Sequence, residues 1–337
     1  RILDGRTGGH PVPAVAVHVD HGDGAGLALV ARVAESLVRL GGSMHGVGNI
    51  DLAEASLVRA RMLLDPKAQV AVDDLPAPGA TAPTEPKADT NLPHEQELAA
   101  VLDHLGLVRR SQEEFQQAAR MHARAAALLE HALGPESRDL AYPLQNLGLA
   151  LADQGRHPEA VTHLRRSIEI WKKTLSEDHR DLGIAYLNLA NSQWALGRLE
   201  SARDNYGRAL DIWEATLTSE HPLLGYALTG LGRTHVALED PSTAIDLLER
   251  ALSIRDHGDE DKLNIAETCL VLARALWLSN RDPERSFQLV LRARDIVGAY
   301  EPRDTPALQK VLDGEEVPRF TDQLAPAGLG VSNLRLR

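Results

Sequence analysis

His179, Arg180, Asp181 and Leu182 have the order found in the catalytic loop of protein kinases. In that loop the aspartate accepts the proton of the substrate hydroxyl, and a later asparagine binds a metal ion. The asparagine would have to stand at position 186, which is Tyr186. The sequence also lacks the Asp-Phe-Gly and Val-Ala-Ile-Lys motifs of these enzymes. We therefore interpret Asp181 as a residue near the start of a helix, where a carboxylate is favourable.

The other residue types that could carry chemistry are histidine and cysteine. The 14 histidines include no His-Glu-x-x-His motif, and the single cysteine excludes a Cys-rich zinc site. We expect most histidines, such as His104, His122 and His163, in loops or on polar faces. Cys269 stands in an apolar stretch that predicts a helix, so we interpret it as a core residue and not as a nucleophile. The sequence predicts no catalytic residue, no bound metal and no cofactor.

The composition of the chain argues against nucleic acids and membranes as partners. The chain has 337 residues, a net charge of −12 and 43% hydrophobic residues, which is enough apolar material for a sizeable core. Its acidic balance argues against a nucleic-acid partner, because phosphates would repel it. No apolar run approaches the ~18 residues of a membrane helix, so we expect no membrane insertion. A lone cysteine is typical of a cytoplasmic protein. The chain begins at Arg1 and not at Met. We therefore expect it to be part of a longer protein whose N-terminal residues are missing here.

Internal repeats decide the expected fold. Three consecutive segments, 134–175, 176–217 and 218–259, repeat one pattern with a period of 42 residues. Each has a leucine followed by a small residue, then a turn residue, then an alanine. The same pattern fits one period upstream and, with one residue fewer, one period downstream. We therefore predict an all-α solenoid in which each repeat is a pair of helices.

The helix pair follows from the spacing inside one repeat. Leu144 and Leu151 belong to an apolar stripe with the i, i+3, i+7 spacing of a helix. Gly155 follows that stripe and should end the first helix in a left-handed conformation. Glu113 and Glu239 replace this glycine in two other repeats, so we expect those turns to be built differently.

Composition also suggests how the chain is divided. Leu40-Gly41 repeats the leucine–small pattern, although Gly41-Gly42 could instead end a helix. A Pro- and Ala-rich stretch follows, and we expect a protease to cut it between Asp73 and Leu92 first. The predicted division is an irregular segment at 1–23, a helical repeat-like segment at 24–70, a linker at 71–93, a solenoid of about five repeats at 94–300 and a tail at 301–337.

The repeats resemble tetratricopeptide repeats of the 42-residue, kinesin-light-chain-like kind. The resemblance is carried by LGPESRDLAYPLQNLGLALADQGRHPEAVTHLRRSIEIW, residues 133–171, and by its two successors. A weaker resemblance links residues 227–295 to the C-terminal repeat region of large bacterial serine/threonine kinases. The first resemblance implies a curved array whose first helices line a concave groove.

In tetratricopeptide repeats the groove side chains lie around the leucine–small pair. Asparagine amides there suit a peptide backbone, Arg233 and Arg274 could hold a carboxylate, and Trp194 and Trp277 offer apolar anchors. The alternative is that the asparagines cap contacts between repeats and that both tryptophans are core residues. We interpret Trp171 and Trp213, which occupy one repeat position, as structural. The predicted peptide-binding residues are Tyr142, Gln145, Asn146, Leu149, Leu187, Asn188, Asn191, Trp194, Tyr226, Thr229, Arg233, Arg274 and Trp277.

Two functions remain open at this point. The first is a non-catalytic scaffold that binds a protein or peptide partner, with acidic groups as one option, and that could also self-associate. The alternative is the regulatory and substrate-docking region of a bacterial serine/threonine kinase whose catalytic domain lies upstream. A hydrolase or metal enzyme hidden in the terminal segments has no supporting motif.

Overall fold

The computed structural model describes residues 24–64, 94–257 and 262–299. Every regular element within these ranges is helical, which confirms the predicted all-α solenoid. The irregular segment predicted at 1–23, the linker at 71–93 and the tail at 301–337 lie outside the described residues.

Consecutive helices pack in pairs, and each pair packs on the next. A 3₁₀ turn, Arg138–Leu140, precedes the fifth helix. The helices are α1 (Gly24–Gly46), α2 (Ile50–Leu64), α3 (Glu95–Ser111), α4 (Phe115–Leu133), α5 (Ala141–Asp153), α6 (His157–Thr174), α7 (Arg180–Ala195), α8 (Leu199–Thr216), α9 (Pro222–Ala237), α10 (Pro241–His257), α11 (Lys262–Leu278) and α12 (Pro283–Val297).

The leucine–small pairs are the points where the two helices of a pair approach most closely. A methyl group added at Gly148 would lie 2.6 Å from Cγ of Leu164, and one added at Gly41 would lie 2.5 Å from Cγ of Leu57. Both distances are too short for carbon atoms, so only a small residue allows this packing. Gly41 therefore lies inside α1 in the same role as Gly148, and does not end a helix.

The turns within the pairs share one geometry. Gly155 has a φ of 75°, and Glu113 and Glu239 have φ values of 63° and 61°. The prediction that the two glutamate turns differ is therefore wrong. The same hydrogen bond closes all of them, from the amide of the next residue to a carbonyl five positions earlier, at 2.9 Å. The left-handed conformation costs a glutamate about 1–2 kcal/mol, which the packed helix pair tolerates.

The core runs through the whole array. Trp171 and Trp213 are fully buried, which confirms their structural role. Cys269 is also buried, and its burial raises the pKa of the thiol to about 11. His122 is fully buried as well, so its predicted place on a polar face is wrong. Its Nδ1 lies 2.6 Å from Oδ1 of Asp103, which supplies the polar partner that a buried imidazole needs.

The kinase-like stretch forms a helix start. Helix α7 begins at Arg180, and Nδ1 of His179 accepts a hydrogen bond of 3.3 Å from the amide of Asp181. The Asp181 carboxylate accepts a second bond, of 2.6 Å, from the hydroxyl of Tyr142. The structure thus confirms that this stretch is a loop and first helical turn.

None of the helices in the described ranges is both long enough and apolar enough to cross a membrane. Within the same ranges, no three His, Cys, Asp or Glu side chains come together in a way that could hold a metal ion.

Candidate peptide-binding pocket

One pocket collects residues from three neighbouring first helices, α7, α9 and α11. Its volume is about 440 Å³. Six of the predicted groove residues line it, although they come from two different repeats. The lining residues are Leu187, Asn191, Trp194, Ala195, Tyr226, Thr229, Gly230, Arg233, Arg255, Asn264 and Glu267.

Arg233 is held in place by partners on every side. Its Nη2 donates to Oδ1 of Asn191 at 2.7 Å and to the hydroxyl of Tyr206 at 2.5 Å. Its Nη1 lies 3.4 Å from a carboxylate oxygen of Glu267. Its guanidinium carbon lies 4.4 Å from the centre of the Trp194 ring, within cation–π range. The pocket is therefore a preorganised surface and not a set of loose side chains.

Tyr206 is buried beneath the pocket and forms hydrogen bonds to both Asn191 and Arg233. Its hydroxyl donates to Oδ1 of Asn191 at 2.5 Å, and burial raises the pKa of the phenol, so it stays protonated. The equivalent residues one period away, Leu164 and Leu248, pack instead beneath the glycine of their own leucine–small pair. Tyr206 reaches the next repeat, where its ring packs on Gly230 and leaves no space for a Cβ atom.

Arg255 is a pocket residue that the sequence analysis missed. It occupies the repeat position of Trp171 and Trp213 and is only 1% exposed. In one repeat Trp171 meets Tyr142 edge-on, with ring centres 5.1 Å apart. Two periods later, the guanidinium carbon of Arg255 lies 4.8 Å from the ring centre of Tyr226, the equivalent pair. The signal was present in the sequence, because the 42-residue spacing places an arginine at a tryptophan position.

Helix α11 contributes a wall that was also missed. Asn264 donates from Nδ2 to the Tyr226 hydroxyl at 3.0 Å, and Glu267 faces Arg233. Thr229 is buried, and its hydroxyl lies 3.0 Å from that of Thr268. Glu267 occupies the repeat position of Tyr142 and Tyr226, but only Arg274 and Trp277 of this helix were predicted to lie in the groove.

The remaining predicted groove residues lie outside this pocket. Gln145 is buried, and the Asn146 amide donates to Asp103 of the preceding repeat at 3.1 Å, in line with the capping alternative. Trp277 is partly buried against the core, and Arg274 is exposed but does not line the pocket with Arg233. Tyr142 is exposed, whereas Leu149 and Asn188 are half-buried.

The stacked helix pairs, with a pocket on their first helices, define a tetratricopeptide solenoid. Residues 97–173, 141–214 and 181–257 each match the family model described as Tetratricopeptide repeat, so residues 97–257 are tetratricopeptide repeats. This architecture supports protein–protein interaction in general, and the chain has the fold of such a scaffold.

Solved structures give the same fold. A protein from Podosopora anserina assigned as a kinesin light chain, with nearly identical TPR-like repeats, is 23% identical; the match covers 61% of this chain and 97% of that one, with a TM-score of 0.52. BtubC (BKLC) from P. vanneervenii is 19% identical over 82% of this chain and 92% of its own, with a TM-score of 0.54. The apo quorum sensor NprR from B. thuringiensis is 15% identical over 87% and 74%, with a TM-score of 0.60. At these identities the likeness establishes the fold alone. No curated protein matches the chain.

Proposed function

We propose that this chain is a non-catalytic scaffold that binds an extended segment of a partner protein in the pocket between α7, α9 and α11. The apolar faces of Leu187 and Trp194 provide an anchor for a side chain. The amides of Asn191 and Asn264 stand beside it, where they can pair with a peptide backbone.

One observation carries the proposal: four residues that depart from the array's own pattern lie in this pocket or directly beneath it. Gly230 stands where two earlier repeats have asparagine, and Tyr206 stands where its neighbours have leucine. Arg255 replaces a buried tryptophan, and Arg233 replaces Leu149 and Asn191 of earlier repeats. Neighbouring repeats form the same helix pairs without these residues, so the fold does not require them. A specialised binding site accounts for their presence together.

We expect the partner segment to place an acidic group at Arg233. The contact between Nη1 of Arg233 and Glu267 is long, at 3.4 Å, so a partner carboxylate can exchange with Glu267 there.

Peptide display tests the proposal. Twelve-residue peptides are selected on the full chain, and the affinity of the selected peptides is measured by calorimetry. We expect Trp194→Ala to weaken binding by about tenfold or more, as at other aromatic anchors. The control is Met62→Ala, which removes an exposed apolar side chain of α2 far along the chain.

The more selective variant is Arg255→Trp, which restores the residue that the array itself uses at this position. Gly225 leaves the room that Gly183 leaves beneath Trp213, so the variant should fold. We expect it to keep its melting temperature and to lose affinity for the selected peptides, because the tryptophan changes the pocket wall beside Tyr226. Unchanged affinity in both Trp194→Ala and Arg255→Trp would refute the pocket assignment.

The link to a kinase, self-association and a cytoplasmic location stay predictions from the sequence. The intact mass of the native gene product, with peptide coverage upstream of Arg1, tests the first. A catalytic domain in that upstream sequence would make the solenoid its docking region.

A further inference from the structure

The second helices of the repeats carry a ladder of ion pairs. Arginines recur every 42 residues on α6, α8, α10 and α12, and the residue 36 positions before each of them lies on the preceding second helix. At three steps that residue is acidic and forms an ion pair. The three pairs are Arg166 with Glu130 at 2.8 Å, Arg250 with Glu214, and Arg292 with Asp256.

The step between α6 and α8 breaks the ladder. Arg208 is the fourth arginine of the series, and the residue in the position of Glu130 is Lys172. Both side chains are exposed and line one pocket, so two cations stand where other steps have an ion pair. The Arg208 guanidinium carbon lies 5.4 Å from the ring centre of Tyr186. This contact holds the arginine against the pocket wall.

The pocket at this step, which we call the ladder notch, has a volume of about 330 Å³. Ile168 and Leu189 give it an apolar wall. One of its two carboxylates, that of Asp204, is engaged by Arg203 at 3.1 Å, outside the lining. The notch is therefore positive on balance. Its charged lining residues are Arg165, Lys172, Arg208, Glu169 and Asp204.

The floor of the ladder notch is polar. Gln193 and Asn205 stand at positions whose residue type varies from repeat to repeat. Both are buried, and the Asn205 amide donates to Oε1 of Gln193 at 2.7 Å. This hydrogen bond supplies the partner that buried amides need, so the notch has a polar floor beneath its charged lining.

We propose that the ladder notch binds the carboxylate of a glutamate or aspartate side chain of a partner protein. The chain itself indicates this chemistry, because at each other step the arginine of the series binds a carboxylate of that kind. A partner's carboxylate between Lys172 and Arg208 would form the ion pair with Arg208 that a carboxylate of the chain itself forms at the other steps. The notch shares no residue with the peptide pocket on the first helices. The two proposals therefore stand or fall separately.

The first test places an acidic residue of the chain itself opposite Arg208 and measures stability. Lys172→Glu supplies the missing carboxylate, and we expect the unfolding equilibrium constant to fall by about two- to fivefold, the range for exposed ion pairs. The gain should disappear in Lys172→Glu combined with Arg208→Gln. A lower stability of Lys172→Glu than of the wild type would show that no cation faces the new carboxylate, and would overturn the proposal.

The second test measures binding of a fluorescein-labelled tetraglutamate peptide by fluorescence anisotropy. We expect Lys172→Glu to lower its affinity at least tenfold, because the new carboxylate occupies the site. Arg281→Glu, on the turn before α12, makes the same change in net charge and should leave the affinity within twofold. Arg255→Trp should also retain binding, which separates this site from the peptide pocket. A tetraglutamine peptide should not bind.

Three outcomes would overturn the assignment. The labelled peptide could fail to bind the wild type at all. It could bind Lys172→Glu as well as it binds the wild type. Free glutamate could compete at the same concentration as the peptide, which would make the notch a site for small anions and not for a protein side chain.

Discussion

Gly230→Ala is the sharpest perturbation of the peptide pocket. A Cβ atom at this position would overlap the ring carbons of Tyr206, which is fully buried. Overpacking of this kind costs about 1–3 kcal/mol. Displacing the ring also breaks the hydrogen bonds of its hydroxyl to Asn191 and Arg233, at about 0.5–1.5 kcal/mol each. The better helix propensity of alanine returns about 1 kcal/mol. We expect a net loss of about 1–5 kcal/mol in the free energy of unfolding.

Gly207→Ala provides the matched control. Gly207 lies in α8, one residue after Tyr206, and a Cβ atom there would meet nothing within 4 Å. The same chemical change should therefore stabilise the protein by up to about 1 kcal/mol. Urea unfolding followed by far-UV circular dichroism measures both variants, and the two midpoints should move in opposite directions.

A third variant tests the cause of the loss. Tyr206→Leu gives α8 the residue that both neighbouring repeats have, and it removes the ring that Gly230 accommodates. Gly230→Ala should cost less in that background than in the wild type, because the overlap is gone. If Gly230→Ala is as stable as Gly207→Ala, or if its cost is the same in both backgrounds, the packing argument is refuted.

Three further predictions concern other parts of the chain. The Cys269 thiol, with a pKa of about 11, should react with DTNB at pH 8 far more slowly in the folded protein than in urea; equal rates would contradict its burial. Burial is the main cause that lowers the pKa of His163, and the nearby Arg166 is the second. As the pH falls, the imidazole is therefore protonated in the unfolded state before it is protonated in the folded state, so the free energy of unfolding should fall below about pH 6.5. His163→Gln should reduce this loss, which urea titrations at pH 7.5 and 5.5 measure. Limited proteolysis should cut within 73–92 before it cuts within 100–298, and early cuts in the second range would contradict the predicted division of the chain.

The repeat pattern predicted the fold because the fold depends on positions that recur. The pair Leu147-Gly148 predicts a close approach of two helices, and the structure has the same close approach at Gly41. Position 155 predicts a left-handed turn, and the turn is also left-handed at the equivalent positions 113 and 239, where the residue is glutamate. The prediction for these two turns was wrong because a repeat pattern does not weigh a local cost of about 1–2 kcal/mol against the packing of two helices.

The candidate site was predicted less completely for a related reason. Groove residues were assigned by their place on each first helix, which located Trp194 and Arg233 but also selected the buried Gln145. That rule has no means of finding Arg255, which belongs to a second helix and enters the pocket beside Tyr226. Whether a side chain near a groove is exposed depends on its neighbours in the next repeat, and helical periodicity carries no such information.

Residues that depart from the 42-residue pattern carry information about function. Residues that follow the 42-residue pattern explain the helix pairs, so residues that break it need another explanation. Two of the breaks, Gly230 and Arg255, meet in one pocket, and a third, Lys172, lines another. Both pockets lie around α7, and each pairs a polar or charged replacement with an apolar wall. The repeat around this helix is therefore where we expect partner proteins to be recognised, while the repeats on either side mainly hold it in shape.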